Sequence, residues 1–298
     1  MENLLDWGIQ VVLWFQQFSP TMDMPFKVLT FMGDEMFFLL FLPFIYWCVD
    51  RRTGARLIIL FLFSVYVNAF VKLVAKQPRP FEYNSQVQKI VEAGGGGFPS
   101  GHTQGAVVVW GYLASVFKKT WLWILAGLLM ILIPMSRVYL GVHFPTDLLG
   151  GYIIGAIILI LYIKYAPFLE EWITKKGFIF QLGCAFILPL ILIIIIPGGD
   201  KLGVTAAATL MGMSMGFALE RKFVGFEASG VWWQRSVRYF IGIVVLIGLR
   251  IVLSMAFKDL DPEPVFRTIR YGLLGLWGTF GAPWIFVKIK LAPKSSAK

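Results

Sequence analysis

The chain has 298 residues, of which 58% are hydrophobic and only 15% are charged, whereas about 25% of the residues of an ordinary soluble domain are charged. Together with a mean hydropathy of +0.74, this composition excludes a soluble globular domain and predicts an all-α, polytopic membrane helix bundle. The net charge of +10 is that expected of basic cytoplasmic loops, so we expect membrane lipids and no nucleic acid as partners.

Residues 1–30 form the first predicted segment. No Lys or Arg precedes Lys27, so this segment is not expected to be a cleaved signal peptide, which has a basic start. Asn3, Asp6 and Gln10 recur at helical spacing among apolar residues. This pattern predicts an amphipathic helix that lies in the membrane interface. A helix packed on the edge of the bundle is the alternative.

Uncharged apolar runs predict about nine transmembrane helices, with lengths near the ~20 residues that cross a hydrocarbon core. These runs cover residues 31–49, 57–75, 102–117, 121–136, 147–164, 178–196, 203–219, 238–257 and 271–287. We expect the five spans within residues 31–166 to form a catalytic core that carries three motifs. The other four, within residues 167–298, form a predicted C-terminal extension without these motifs.

Charged residues in or beside membrane spans are candidate functional residues, because burying a charge in lipid is costly. Asp34 and Glu35 lie near the start of the first predicted span, and Arg250 lies midway along the eighth. We expect these three residues to contact the headgroup of a substrate. The alternative is a structural ion pair between Arg250 and one of the two acids.

The first motif is KLVAKQPRP, at the end of the second predicted span. Lys72 and Arg79 are seven residues apart, which is close to two helical turns, so both cations are expected on one helix face before Pro78 and Pro80 end the helix. A Lys in the last turn of a membrane helix either snorkels to the interface or binds an anion. Snorkelling does not account for Arg79 at this spacing, so we predict an anion site.

The second motif is GGGGFPSGH, residues 94–102, which leads into the third predicted span. The glycines allow close approach of the backbone to a ligand, and the following helix presents free N–H groups and the positive end of its dipole. The third motif is SRVYLGVHFPTD, between the fourth and fifth spans. Asp147 follows His143 by four residues, so its carboxylate can accept the imidazole N–H and fix the tautomer. Pro145 suits the first turn of the fifth span.

Cys48 and Cys184 lie singly inside predicted spans. No group of His, Cys, Asp and Glu has the spacing of a zinc or magnesium site in the sequence. We therefore expect no metal and no other cofactor.

The distribution of basic residues predicts how the chain is threaded through the membrane. With nine spans, one face carries sixteen Lys and Arg residues, from Arg51 to Lys298, and the other carries ten, four of them in the motifs above. By the positive-inside rule, the sixteen-residue face is cytoplasmic. The C-terminus is then cytoplasmic, and the N-terminus and all three motifs face the periplasm, the extracellular space or an organelle lumen.

The three motifs together resemble the signature of the type 2 phosphatidic acid phosphatase superfamily, over about residues 31–165. The match consists of Lys, six residues and Arg-Pro; then Pro-Ser-Gly-His; then Ser-Arg, five residues, His, three residues and Asp. The resemblance implies that His143 is the nucleophile, Asp147 orients it and His102 protonates the leaving alkoxide. It also implies that the phosphoryl oxygens bind to Lys72, Arg79, Ser100, Gly101 and Arg137.

The expected function is therefore a metal-independent phosphatase that hydrolyses a phosphate monoester or diphosphate, of a lipid above all, through a phosphohistidine. The nine spans resemble glucose-6-phosphatases, whereas FMGDE at Phe31–Glu35 is similar to a segment of sphingosine-1-phosphate phosphatases. Asp147 follows the general superfamily pattern, from which glucose-6-phosphatases depart. A sugar-phosphate phosphatase, a phosphotransferase with the same site and a phospholipid transporter remain alternatives.

Overall fold

The computed structural model of the chain describes residues 2–258 and 260–295, without the side chain of Glu2. Lys298, one of the sixteen basic residues on the predicted cytoplasmic face, lies outside these residues. The described chain is predominantly helical, as its composition predicts. One isolated antiparallel bridge joins Phe226 and Lys294.

Thirteen α-helices follow one another along the described chain. They are α1 (Glu2–Gln16), α2 (Asp23–Phe31), α3 (Glu35–Phe44), α4 (Arg51–Ala75), α5 (Pro80–Tyr83), α6 (Gly101–Phe117), α7 (Thr120–Tyr139), α8 (Pro145–Thr174), α9 (Phe178–Ile195), α10 (Lys201–Phe223), α11 (Trp232–Ala256), α12 (Glu263–Leu276) and α13 (Ala282–Lys288). Two π-helical turns, Ile45–Val49 and Trp277–Gly281, continue α3 and α12, and a 3₁₀ turn, Pro197–Gly199, precedes α10.

Six helical segments of the described chain are long and apolar enough to cross a membrane. They are Arg51–Tyr83, Thr120–Tyr139, Pro145–Thr174, Phe178–Ile195, Lys201–Phe223 and Trp232–Ala256. Helices α2 and α3 pass the same test together, but the chain bends by 47° between them, and they raise the number to seven if they form one span. The first predicted span therefore contains a bend instead of running straight through residues 31–49.

The other two predicted spans correspond to α6 and to the helical run from α12 to α13. Helix α6 has 17 residues and is thus about 25 Å long, slightly short of the hydrocarbon thickness of ~30 Å. Helix α12 begins with several charged residues, among them Glu263, Arg267 and Arg270. The count of nine crossings therefore stays a prediction.

The helices pack into two compact units. The first contains the residues up to Phe38 together with Val67–Lys164, and the second contains Leu39–Tyr66 and the chain from Tyr165 onward. All residues of the three motifs belong to the first unit. Its packing around the second motif depends on small residues, because a Cβ atom on Gly151 would lie 2.7 Å from the Ser100 carbonyl oxygen. Helix α8 thus contacts the start of α6 almost backbone to backbone.

Helix α1 packs against the first unit through one face. Leu5, Ile9 and Val12 are buried there, and they form a cluster with Val138 and Phe144. Their spacing of four and three residues is that of a helical stripe. This contact shows only that α1 packs against the first unit, so its position in the membrane interface or on the edge of the bundle stays a prediction.

The second unit contains buried polar contacts of its own. The carboxylate of Glu220 is fully buried, where it accepts hydrogen bonds from the Arg51 side chain at 2.6 Å and from the Phe226 N–H at 2.6 Å. The Arg238 guanidinium is also fully buried and donates to the carbonyl oxygens of Ala228 and Ser229. Each buried charge here has partners, as a low-dielectric interior requires.

Candidate active site

The two cations of the first motif do not lie on one helix, so that part of the sequence prediction is wrong. Helix α4 ends at Ala75, and Arg79 has extended backbone immediately before α5. The reason is local, since Pro78 and Pro80 disfavour helical backbone in the residues that precede them. The main-chain N–H of Arg79 donates to Glu82 Oε2 at 2.8 Å, which fixes the start of α5.

Lys72 and Arg79 nevertheless reach the same place, the glycine loop of the second motif. The Lys72 ammonium donates to the Gly96 carbonyl oxygen. The Arg79 guanidinium donates from Nη2 to Gly94 at 2.7 Å and from Nε to Gly95 at 3.0 Å. Carbonyl and phosphoryl oxygens accept the same hydrogen bonds. The two cations are therefore held side by side by acceptors that phosphoryl oxygens can supplement or replace.

The start of α6 is fixed by Ser100, which is fully buried. Its N–H donates to the main-chain oxygen of Asp147 at 2.9 Å, and its Oγ accepts from the Thr103 N–H at 3.4 Å as the N-cap. Ser100 therefore retains only its hydroxyl proton for an anion. Gly101 is the first residue of α6, and the N–H groups at the start of a helix have no partner within the helix.

Arg137 lies in the last turn of α7 and is only 5% exposed. Its Nη1 donates to the Thr30 hydroxyl at 2.5 Å. Its buried Nε atom has no hydrogen-bond partner in the part of the chain that the structure describes. An unpartnered guanidinium donor in a buried site is expected to bind an anion.

His143 and Asp147 form the contact that their spacing predicts. His143 Nδ1 lies 3.1 Å from Asp147 Oδ2, and both side chains are buried. Oδ2 also accepts from the Phe144 N–H at 2.9 Å, and Oδ1 accepts from Gln77 Nε2 at 2.6 Å. Since both carboxylate oxygens act as acceptors, Nδ1 must be the donor, which leaves Nε2 with its lone pair.

The free nitrogen of His143 faces the cations. Nε2 lies 3.4 Å from Nη1 of Arg79, which donates to the Val142 carbonyl oxygen at 2.7 Å. Burial, with the positive charges of Lys72 and Arg137 next in importance, holds the pKa of His143 well below its ordinary value of 6.5. The imidazole is therefore neutral at physiological pH, as a nucleophilic nitrogen has to be.

His102, in the first turn of α6, contacts an acid from another part of the chain. Its Nε2 atom lies 2.9 Å from Oδ1 of Asp34, and its side chain is 17% exposed. Asp34 thus belongs to the site, but through His102. Glu35 is exposed at the start of α3, and Arg250 is half-buried on α11 in the second unit. Their contact with a headgroup stays a prediction.

The structure adds four residues that the sequence analysis did not assign. Gln77 contacts the carboxylate of Asp147, Thr30 contacts Arg137, and Gly33 lies against the His102 ring. Asn68 donates to the Pro99 carbonyl oxygen and to Gln104, and so holds the second motif from α4. Only Gln77 lies inside a motif, so its position could have suggested a role. In the described residues, no group of three or more His, Cys, Asp or Glu could hold a metal ion.

Comparison with known proteins agrees with this geometry. The profile of the PAP2 superfamily matches residues 53–171, which contain all three motifs, and that of the PAP2 superfamily phosphatase transmembrane extension matches residues 204–294. The two matches together cover more than two thirds of the chain. The chain belongs to the PAP2 superfamily. Its C-terminal helices, which carry no motif, are thus a known companion of the PAP2 domain.

Three relatives of this PAP2 protein illustrate the range of the superfamily. The chain is 27% identical to sphingosine-1-phosphate phosphatase 2 of Mus musculus, over 66% of this chain and 59% of the relative. It is 30% identical to lipid phosphate phosphatase delta of Arabidopsis thaliana, over 57% and 44%. It is 28% identical to glucose-6-phosphatase catalytic subunit 1 of Haplochromis nubilus, over 61% and 60%.

These three matches span 44% to 60% of the length of the relatives. No solved structure matches the chain significantly. The PAP2 assignment therefore rests on sequence, and the chemistry of the site rests on the contacts described above.

Proposed function

We propose that this protein is an integral-membrane phosphatase that hydrolyses a phosphate monoester or diphosphate through a phosphohistidine on His143. The observation that carries the proposal is the placement of His143. Its Nδ1 is 3.1 Å from Asp147, and its free Nε2 is beside the Arg79 guanidinium. A neutral nitrogen nucleophile thus lies next to cations that can bind the phosphoryl group it would attack.

In the first step, the Nε2 lone pair attacks phosphorus and the bond from phosphorus to the leaving oxygen breaks. Asp147 stabilises the positive charge that develops on the imidazole. The charge on the equatorial phosphoryl oxygens is balanced by Lys72, Arg79 and Arg137, with the Ser100 hydroxyl and the Gly101 N–H as further donors. His102 gives its proton to the leaving alkoxide, which departs as an alcohol.

In the second step, water attacks the phosphohistidine and the bond between Nε2 and phosphorus breaks. His102, now neutral, accepts a proton from this water and is ready for the next turnover. Inorganic phosphate leaves, and the lone pair returns to His143. Every proton in this cycle is carried by a protein side chain, so the reaction needs no metal ion and no other cofactor.

We infer a site outside the cytoplasm from a topology of nine membrane spans. In this topology, α6 and the run from α12 to α13 are two of the nine spans. The excess of Lys and Arg on one face supports a cytoplasmic C-terminus and an outward-facing pocket. The apolar face of α1 supports a position at the edge of the bundle, near the membrane interface.

A lipid phosphate ester is the substrate class that the chain supports best. Two of the relatives carry the names of lipid phosphate phosphatases, and the third is named for a sugar phosphate. A site whose motifs adjoin the ends of membrane helices suits a substrate whose headgroup lies at the membrane surface.

Release of inorganic phosphate by the purified full-length protein in detergent tests this proposal. We expect release from at least one ester in a panel of phosphatidate, a polyprenyl diphosphate, a sphingoid-base phosphate and glucose 6-phosphate. Chelators should leave the rate unchanged, and vanadate should inhibit. His143→Ala should abolish release, whereas Glu171→Gln, which removes an exposed charge paired with Lys175, should not.

Three results would contradict the proposal. They are substantial release by His143→Ala, recovery of a chelated enzyme only with added magnesium or zinc, and no release from any ester. Transfer of phosphate to an added alcohol in preference to water would identify a phosphotransferase that uses the same residues.

A further inference from the structure

A bend in the N-terminal part of the chain contacts two residues of the candidate site. Asp34 lies where the chain turns by 47° between α2 and α3, and its Oδ1 is 2.9 Å from Nε2 of His102. The two residues are 68 positions apart in the sequence. Asp34 also precedes the region 53–171 that matches the PAP2 profile. A residue outside the shared domain thus contacts the proposed proton donor.

Gly33 shows that the bend is fitted closely to the imidazole. A Cβ atom at this position would lie 2.4 Å from Cδ2 and 3.0 Å from Cγ of His102, where a side chain would overlap the ring. The His102 ring therefore lies directly on the backbone of the bend. Glycine at this position allows the ring and the Asp34 carboxylate to meet.

Thr30 connects the same bend to a phosphate-binding cation. It lies buried near the end of α2, and its hydroxyl accepts the hydrogen bond from Arg137 Nη1. One short segment, Thr30–Asp34, therefore contacts both His102 and Arg137. These contacts hold two side chains of the candidate site in position.

The negative charge of Asp34 favours the protonated form of His102, which a proton donor needs. A general acid has to hold a proton, and Arg137 and Lys72 both act electrostatically on His102. Burial and these positive neighbours work against a protonated imidazole, and the Asp34 carboxylate in direct contact acts in the opposite direction. Asp34 is 43% exposed, so part of this effect is screened by solvent, but its hydrogen bond to the ring persists.

We propose that Asp34 is a positioning residue for the general acid: its carboxylate accepts the Nε2–H of His102, so that the second imidazolium proton, on Nδ1, is the one given to the leaving oxygen. This inference rests on the proposed function. It differs from the headgroup contact expected from the sequence, because Asp34 then acts through His102 and touches no substrate atom. Histidines with a defined task commonly have such an orienting carboxylate.

Substrates with different leaving groups test this role. Asp34→Asn keeps the size of the side chain but removes its charge. We expect kcat/KM, which reports formation of the phosphohistidine, to fall about 10- to 100-fold for an alkyl phosphate, the usual effect of losing an orienting partner of a histidine. For p-nitrophenyl phosphate, whose leaving oxyanion needs little protonation, kcat/KM should change less than roughly threefold. The KM for the alkyl phosphate should stay within about twofold of wild type, because no substrate contact is lost.

The double variant Asp34→Asn/His102→Ala provides the second measurement. Since Asp34 acts only through His102, the pair should lose no more alkyl-phosphate activity than His102→Ala alone. A burst of p-nitrophenol from p-nitrophenyl phosphate, which needs no proton donor and precedes breakdown of the phosphohistidine, shows that each variant is folded. Glu171→Gln is the matched control for the loss of one negative charge.

The possible outcomes distinguish failure of the inference about Asp34 from failure of the phosphohistidine mechanism. Equal loss of kcat/KM on both substrates, or additive loss in the double variant, contradicts the role of Asp34. A rise in KM restricted to esters with a cationic headgroup, with kcat unchanged, makes Asp34 a headgroup ligand. Normal alkyl-phosphate turnover by Asp34→Asn, with an active wild type and an inactive His143→Ala, overturns this inference alone. An inactive wild type or an active His143→Ala overturns the phosphohistidine mechanism, and the role of Asp34 with it.

Discussion

The main-chain oxygen of Asp147 accepts a hydrogen bond from the Ser100 N–H at 2.9 Å, while the carboxylate of the same Asp147 contacts His143. One residue therefore joins the second motif to the third. The nucleophile and the start of the helix that carries His102 are held in fixed register. Loss of the Asp147 side chain and disturbance of the loop before Ser100 are expected to affect activity in different ways.

Asp147→Asn should lower kcat about 10²- to 10⁴-fold, because the amide cannot stabilise the imidazolium that forms during attack and can hold the wrong tautomer. Gln77→Ala removes one neutral donor from the same carboxylate and should cost much less. The measurement is kcat with an aryl phosphate, for which proton donation by His102 matters little. Equal losses in the two variants would contradict the role of Asp147.

Two glycines of the same loop should respond differently to alanine. A Cβ atom on Gly97 would lie 2.8 Å from the Pro78 carbonyl oxygen and 3.3 Å from Asp147 Oδ2, whereas one on Gly94 would meet no atom within 4 Å. Gly97→Ala should therefore shift the loop and lower kcat/KM at least roughly tenfold, since small displacements of reacting groups are costly. Gly94→Ala is the matched control and should stay within about twofold. A larger loss of kcat/KM in Gly94→Ala than in Gly97→Ala would contradict this position of the loop.

Sequence alone predicted the pairs that are local or lie within one motif. The spacing of four residues placed Asp147 beside His143, and the motifs brought the cations to one site. The bend at residues 32–34 was missed, because the apolar run continues through it and hydropathy carries no signal for a kink. The contact between Asp34 and His102 was missed because it joins residues far apart in sequence, which no local periodicity encodes. Arg79 was misplaced because helical spacing was extended past Pro78.

The pH dependence of kcat/KM should show whether its acidic limb arises from the substrate or from His143. The pKa of His143 lies well below 6.5, so the free enzyme keeps a neutral nucleophile as the pH falls through 6.5. We expect the acidic limb of kcat/KM to follow the second ionisation of the substrate phosphate, near ~6, and to move when an aryl phosphate replaces an alkyl phosphate. A limb fixed near 6.5 for both substrates would indicate protonation of His143 instead.

The lowered pKa of His143 also affects the stability of the folded protein. Unfolding returns His143 to its ordinary pKa of 6.5, so below this pH the unfolded chain binds a proton that the folded protein does not. The free energy of unfolding should therefore decrease as the pH falls below 6.5, with a contribution from His143 that is absent in His143→Ala. Thermal unfolding in detergent at pH 5 and pH 7, on both proteins, measures this difference.

Threading can be tested with single cysteines in a variant that lacks Cys48 and Cys184. Gly94→Cys should react with a membrane-impermeant thiol reagent from outside, because this position has open space around it. Arg52→Cys, at a side chain that is 70% exposed, should react only after the membrane is permeabilised. Labelling of Arg52→Cys alone in intact cells would reverse the orientation and place the site on the cytoplasmic side.

The phosphohistidine itself is the central claim, and rapid acid-free quenching with a ³²P-labelled aryl phosphate, whose leaving oxygen needs little protonation, tests it most directly. We expect label that is stable to base and labile to acid, on a peptide that contains His143. The label should accumulate in His102→Ala, because the breakdown of the intermediate loses its base, and it should be absent in His143→Ala, which should not turn over any ester. Phosphate release without a labelled intermediate in His102→Ala, or label that persists in His143→Ala, would contradict the mechanism.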